Sequence, residues 1–337
     1  MFRKTISRIL LRKRVKTKSR STDRSHPWYE GFKFNVVEET DQKTYFTSLP
    51  PPILFLSRGH SGTRALSHLL QRAGIYMGNI IDPYCLNQTE DALYWVYGFQ
   101  RELVPQLFKY GKGCSNIPDL VDSVGKVCIS HHMSAYKGGP WGFKTCAGSF
   151  SHQLYNYLFP NAKYIYLLRD GRDVILSNNG KFHMAGHSPI TTPHWEYFRI
   201  ITSGISNDFS QWPFQFNHED EMEQRTWQNR FWIQAKSWRE DIRMMEFLKE
   251  TSQLSDSVYT IKYEELCANP TRSIKDLFNF LNIPINADVV SFASKHFYTT
   301  SVSKWKNWKN YVFDTNEDLD KIFDEMKTEL ILTKYLT

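Results

Sequence analysis

Apolar positions in this chain fall into short blocks separated by polar, glycine-bearing turns. Ile53-Leu54-Phe55-Leu56 is one such block, of a length that suits a buried strand. It ends in the turn-prone run Ser57-Arg58-Gly59-His60-Ser61-Gly62. Leu66, Leu69, Leu70 and Ala73 then recur at helical spacing, with Gly74 as a stop. Trp141 to Thr145 predicts a second strand, and residues 150–159 a helix closed by Pro160. Lys163 to Leu168 predicts a third strand, running into Arg169-Asp170-Gly171 and a new helix. Val258 to Ile261 predicts a fourth. Asn269-Pro270 marks a helix start, with Asn as N-cap and Pro at the first position. Ile274, Leu277, Phe278 and Leu281 continue that helix on one face, and a last helix carries Leu319, Ile322, Phe323, Met326 and Leu330.

Strands alternating with helices predict a three-layer α/β fold: a mainly parallel sheet with helices on both faces. The first unit is a P-loop-like strand, glycine loop and helix. Residues 181–250 break the rhythm with a dense aromatic run that includes Trp195, Tyr197, Phe209, Trp212, Phe231 and Trp238. Around 195–216, Pro, Gly, Asn and Ser point to a loop. For 227–238, ordinary helix packing is an equal reading. The expected organisation is a basic tail over 1–25 and a single domain over 26–337 with an aromatic insert at about 181–250.

Charge sharpens this division. The chain has 337 residues, long enough for a substantial buried core, and a net charge of +7. Nine of its 42 Lys and Arg lie in residues 1–20, and none of its 35 acidic residues does. The rest of the chain therefore balances 33 cations against 35 anions. The tail reads as a solvated arm. Phe2, Ile6 and Ile9, spaced helically among the cations, make a membrane-surface anchor the rival. No aromatics interleave with the charges, which argues against nucleic acid as a partner. No window has 18 consecutive apolar residues, so no transmembrane helix is predicted. Near the start, Ile9 to Leu11 is too short for a signal-peptide core. Five cysteines without a CxxC pair point to a reducing, cytoplasmic setting and against a disulfide framework or a zinc site.

Two segments carry candidate chemistry. In Arg58-Gly59-His60-Ser61-Gly62-Thr63-Arg64, a glycine loop feeds a helix N-terminus. Its backbone N–H groups and positive end suit a phosphate or sulfate. Ser61 and Thr63 offer hydroxyls; Arg58, His60 and Arg64 offer charge. The spacing is not that of a Walker A loop. In Leu168-Arg169-Asp170-Gly171-Arg172-Asp173, a cation sits at the carboxyl end of a strand, where open sheets bind ligands. Ser177 is expected two turns into the following helix, able to share a phosphate with Arg169. The competing reading is a salt-bridge cluster in which Asp170 and Asp173 neutralise both arginines.

With these two segments together, the sequence resembles the sulfotransferases that use 3′-phosphoadenosine 5′-phosphosulfate (PAPS). The family's 5′-phosphosulfate motif resembles His60-Ser61-Gly62-Thr63, and its 3′-phosphate motif resembles Arg169 with Ser177. Lys144-Thr145 resembles the segment whose lysine contacts the transferring sulfuryl group. Thr260 to Leu266 resembles the segment whose tyrosine, here Tyr263, lies near the adenine. Lys304-Trp305-Lys306-Asn307 resembles the segment that closes over the nucleotide.

The resemblance implies a PAPS co-substrate, no metal, and an acceptor hydroxyl, most naturally on a carbohydrate. The chain departs from the pattern twice. His60 replaces the usual Lys or Arg, so that either His60 is the contact or Arg58 or Arg64 supplies the charge, and the family's His base would fall near Cys146. Glu90 and Asp91 are then the candidate bases, by resemblance to members that use a carboxylate. Lys144 and His60 are the candidate stabilisers of charge on the leaving phosphate. A P-loop kinase and a non-catalytic nucleotide- or glycan-binding protein on the same fold are the rival classes.

Overall fold

A computed structural model describes residues 49–59, 61–78, 132–133, 136–144, 149, 152, 155–156, 159–177, 230–250, 256–310 and 318–336. The chain divides into two units between Asn35 and Val36, and every described residue lies in the second.

Among the described residues four strands form one sheet: β1 (Ile53–Phe55), β2 (Gly142–Phe143), β3 (Lys163–Leu168) and β4 (Val258–Lys262). Their order is β2-β1-β3-β4 and every pairing is parallel. Leu54 lies opposite Tyr164, and Ile165 opposite Tyr259. The helices are α1 (Thr63–Arg72), α2 (Gly171–Ile175), α3 (Arg230–Glu250), α4 (Tyr263–Ala268), α5 (Pro270–Leu281), α6 (Ala287–His296), α7 (Leu319–Glu325) and α8 (Lys327–Leu332). Two 3₁₀ segments, Thr299–Ser301 and Lys304–Asn310, stand between α6 and α7.

The period-2 alternation of strand side chains builds two cores. Leu54, Phe143, Tyr164, Tyr166 and Leu168 point to one face, where Trp238, Ile242 and Met245 of α3 and Leu319, Ile322 and Leu330 of α7 and α8 cover them. Ile53, Phe55, Ile165, Leu167 and Ile261 point to the other, under α1, α5 and α6. The result is the three-layer α/β architecture that the alternating pattern predicts.

Strand order decides where a ligand site forms. The chain continues from β1 to β2 at one edge of the sheet, and from β3 to β4 at the other. Connections that leave two neighbouring strands in opposite directions open a crevice at their carboxyl ends. Here that crevice lies beyond β1 and β3.

Several boundaries differ from those the sequence predicts. The last helix breaks at Met326 into α7 and α8. Asn269 sits at the N-cap position of α5, with Pro270 at its first turn, yet its side chain makes no capping bond. The helix gains its stability instead from the apolar stripe of Ile274, Leu277, Phe278 and Leu281. Residues 230–250 form a 21-residue helix, and its Phe231 and Trp238 are core. Among the described residues no helix is long and apolar enough to cross a membrane.

Candidate active site

Leu56 still bonds to the β3 backbone through Ile165, but the next bond is made by a side chain. Ser57 Oγ accepts the Leu167 N–H at 2.6 Å, so the chain after β1 stays attached to β3 as it turns away. Arg58 follows. Its guanidinium donates to the Gly59 carbonyl at 3.0 Å and to the side-chain oxygen of Gln234 on α3. The loop then reaches Gly62, whose φ of 93° lies in the left-handed region. A β-carbon there would stand 2.5 Å from Cε2 of Tyr263. Glycine thus lets the loop backbone lie against that ring. Thr63 opens α1, whose first turn holds no acidic residue, leaving the helix end positive. Ser61 and Thr63 are buried, whereas Arg64 is exposed. His60 lies outside the described residues.

At the end of β3, Arg169 is buried. One of its Nη atoms donates to the Ser301 carbonyl at 2.6 Å, and its guanidinium carbon lies 4.7 Å from the Tyr263 ring centre. The two nearby carboxylates each have further partners. Asp170 takes both Nε and Nη2 of Arg172, at 3.0 and 2.8 Å, and also caps α2 by accepting the Arg172 N–H. Asp173 accepts the N–H groups of Ser303 at 2.6 Å and Trp305 at 3.1 Å. Burial raises its carboxyl from the ordinary value, while those two N–H groups and Arg169 oppose the rise. Arg172 stacks 3.5 Å from the centre of the Trp305 indole. The Lys304-Trp305 segment is therefore docked directly on α2, with Asp170 paired to Arg172 and Asp173 anchoring that segment's backbone beside Arg169. Ser177 is half-buried and lies beyond the end of α2, not two turns into it. Ser177-Asn178-Asn179-Gly180 consists of residues that favour helix ends over interiors.

Tyr263, the first residue of α4, is the common neighbour of both segments. Burial pushes its phenol up to about 12. The adjacent Glu264 accepts the Asp170 N–H at 3.0 Å and the Tyr335 hydroxyl at 2.6 Å, and burial raises its carboxyl too. Lys144 is buried directly after β2, on the same edge of the sheet as the β1 loop. The predicted strand over 141–145 is shorter here: β2 spans Gly142–Phe143, and Trp141 before it bridges to Tyr76 and accepts the Ile53 N–H at 2.9 Å. Glu90, Asp91, Thr145 and Cys146 lie outside the described residues, as does the aromatic run up to Gln228. Among the described residues no group of His, Cys, Asp and Glu could hold a metal ion.

Sequence reasoning missed three residues of α3. Gln234 receives Arg58, Trp238 Nε1 donates to the Arg169 carbonyl at 3.0 Å, and Asp241 accepts from Ser149 and from Tyr166 at 3.2 Å. Burial pushes the Asp241 carboxyl up to about 6. Their spacing of four and three residues was the available signal, since it places them on one helix face.

Residues 50–321 match the family model described as "Sulfotransferase domain". Among solved structures, the chain is similar to a sulfotransferase domain from the curacin biosynthetic pathway, at 16% identity over 83% of this chain and 98% of that one, TM-score 0.41. It is also similar to sulfotransferase STF9 from Mycobacterium avium, at 13% identity over 86% and 78%, TM-score 0.47. A mouse sulfotransferase, SULT7A1, complexed with PAP, is 13% identical over 88% and 93%, TM-score 0.40. No curated protein sequence matches the chain. With its family match spanning most of its length and its P-loop-like strand, loop and helix in a parallel sheet, this chain belongs to the PAPS-dependent sulfotransferases and is a sulfotransferase enzyme.

Proposed function

We propose that this sulfotransferase moves the sulfuryl group of PAPS to a hydroxyl of a carbohydrate. One observation supports the donor reading above others: the glycine loop and Arg169 meet on a single ring, that of Tyr263. An adenine nucleotide with phosphates at both the 5′ and 3′ positions needs two separate anion sites flanking a flat surface. The loop 58–64 with the α1 N-terminus suits the 5′-phosphosulfate. Arg169 with Ser177 suits the 3′-phosphate, Tyr263 the adenine, and Lys304-Trp305 the cover. Through its bonds to Gly59 and Gln234, Arg58 braces the loop against α3 and contributes to the donor site through that loop.

The chemistry follows the logic of phosphoryl transfer. The acceptor oxygen attacks sulfur as the bond from sulfur to the 5′-phosphate oxygen breaks. The electron pair of that bond leaves on the phosphate, giving PAP. Lys144, with the loop N–H groups, meets the growing negative charge. Glu90 or Asp91 takes the acceptor proton. The carbohydrate assignment rests on the aromatic run that includes Trp195, Tyr197 and Trp212, whose faces suit sugar C–H surfaces. In this reading the residues 1–20 are a solvated arm with capacity for a membrane surface.

The test is transfer of label from sulfur-labelled PAPS to panels of glycans, tyrosine peptides and small alcohols. Label on glycans is expected. Label confined to peptides or small alcohols would overturn the acceptor class. PAP binding without transfer to any panel would instead support a non-catalytic binder.

A further inference from the structure

Three strand exits make up the donor site, and each is held by the same helix. Arg58, just past β1, bonds to Gln234. Ser149, in the segment after β2, donates to Asp241, and its N–H bonds to the Leu56 carbonyl at the end of β1. Arg169, just past β3, offers its carbonyl to Trp238 Nε1 at 3.0 Å. Gln234, Trp238 and Asp241 stand four and three residues apart, so they form one stripe along about 10 Å of α3.

All three are buried. A Gln and an Asp in a helix interior cost stability relative to apolar residues of the same volume, because their polar atoms give up water. Such groups are explained by what they fix in place, here the backbone that leads into each anion-binding segment. Asp241 also supplies the negative charge facing Arg58 inside this low-dielectric layer. Trp238 is fitted with equal care. A β-carbon on Gly171 would stand 2.4 Å from its indole, so only glycine allows the ring to reach the Arg169 carbonyl. The helix is held from another side as well, since the buried Glu329 of α8 accepts from Arg239 at 3.1 Å and Arg243 at 2.7 Å.

We infer that Gln234, Trp238 and Asp241 are positioning residues, a single stripe of α3 that sets the relative placement of the three strand exits of the donor site. This rests on the reading that those exits bind PAPS. Losing one such bond should loosen donor binding without touching the acceptor.

The test uses the full chain and four variants: Gln234→Met, Gln234→Glu, Trp238→Phe and Asp241→Asn. PAP affinity is read by titration calorimetry below the melting temperature of each variant, and KM for PAPS and acceptor by steady-state kinetics. Gln234→Met and Trp238→Phe should weaken PAP binding about three- to tenfold, the range for one hydrogen bond, and leave the acceptor KM unchanged. Gln234→Glu keeps an acceptor for Arg58 and should recover most of the affinity. Asp241→Asn keeps the shape and loses the charge, and should fall between these two. Lowered melting temperatures with PAP affinity equal to wild type would overturn the inference and leave α3 as packing alone. Wild-type protein that fails to bind PAP would instead remove the donor reading, and this inference with it.

Discussion

A β-carbon on Gly62 would fall 2.5 Å from the ring of Tyr263, so the β1 loop and the β4–α4 junction fit together only through glycine. Gly62→Ala would meet both that contact and a φ of 93°. The left-handed conformation alone costs an L-residue roughly 1–2 kcal/mol. The loop should shift away from Tyr263, and PAP affinity should drop at least about tenfold. Titration calorimetry checks this; affinity within twofold of wild type would mean that the loop reorganises freely.

Asp173 anchors the segment that carries Lys304 and Trp305 through two backbone N–H groups. Bonds to a charged group are worth roughly 1.5–3 kcal/mol each. Asp173→Ala should therefore release this segment and raise KM for PAPS at least about tenfold, with a much smaller effect on the acceptor KM. Steady-state kinetics with each substrate varied in turn checks the split.

Two buried groups give opposing pH effects on stability. The Asp241 carboxyl is raised from 3.8 to about 6, because burial disfavours its charge. The folded state therefore holds this proton more tightly, and the stability gained is present below pH 4 and lost as pH rises through 6. The His152 imidazole is lowered from 6.5 to about 4 by burial, with its ring against Tyr164. Its contribution is complete above pH 6.5 and lost as pH falls toward 4. Each shift amounts to about 3 kcal/mol. Between pH 4 and 6 the two nearly cancel. Denaturant unfolding across that range should show Asp241→Asn losing stability on acidification and His152→Phe gaining it.

Much of the sheet was legible because β1 and β3 are compact apolar blocks. Ile53 to Leu56 and Lys163 to Leu168 announce themselves by length and by the glycine or Arg-Asp-Gly turn that follows. Arg169 was legible as a candidate from its place at the carboxyl end of a strand, whereas Tyr263 was legible only through resemblance, since nothing local marks a cation that will lie over a ring 94 positions away in the chain. The role of α3 was hidden for a similar reason. Gln234 and Asp241 interrupt its apolar pattern, while Phe231 and Trp238 are equally suited to a core or to a sugar. Their partners, Arg58, Ser149 and the Arg169 carbonyl, are distant in sequence. Asp173 was legible as a possible partner of the arginines, but its anchoring of the 303–305 backbone was not, because backbone N–H groups leave no mark in the sequence.

Lys144 is buried at the end of β2, on the crevice edge of the sheet. A cation that meets charge developing on the leaving phosphate acts in the transition state more than in the ground state. Lys144→Ala should lower kcat by roughly 10²–10³, the cost of losing one preorganised charge stabiliser, and leave PAP affinity nearly unchanged. Arg at this position should rescue poorly, since a planar fork replaces a compact charge. A kcat within twofold of wild type would leave the loop as the sole source of stabilisation.

Two anion sites joined through Tyr263 should select a nucleotide with a 3′-phosphate. Parallel titrations of PAP and ATP, on wild type and on Arg169→Ala, decide whether they do. PAP should bind wild type and raise its melting temperature, by about 2.7 kcal/mol of added stability at one hundred times Kd. ATP should do far less. Arg169→Ala should cost PAP roughly 1.5–3 kcal/mol, while adenosine 5′-phosphosulfate, lacking the 3′-phosphate, should bind both proteins alike. Equal binding of PAP and ATP to wild type, or an equal loss of PAP and adenosine 5′-phosphosulfate in the variant, would mean that Arg169 does not read a 3′-phosphate.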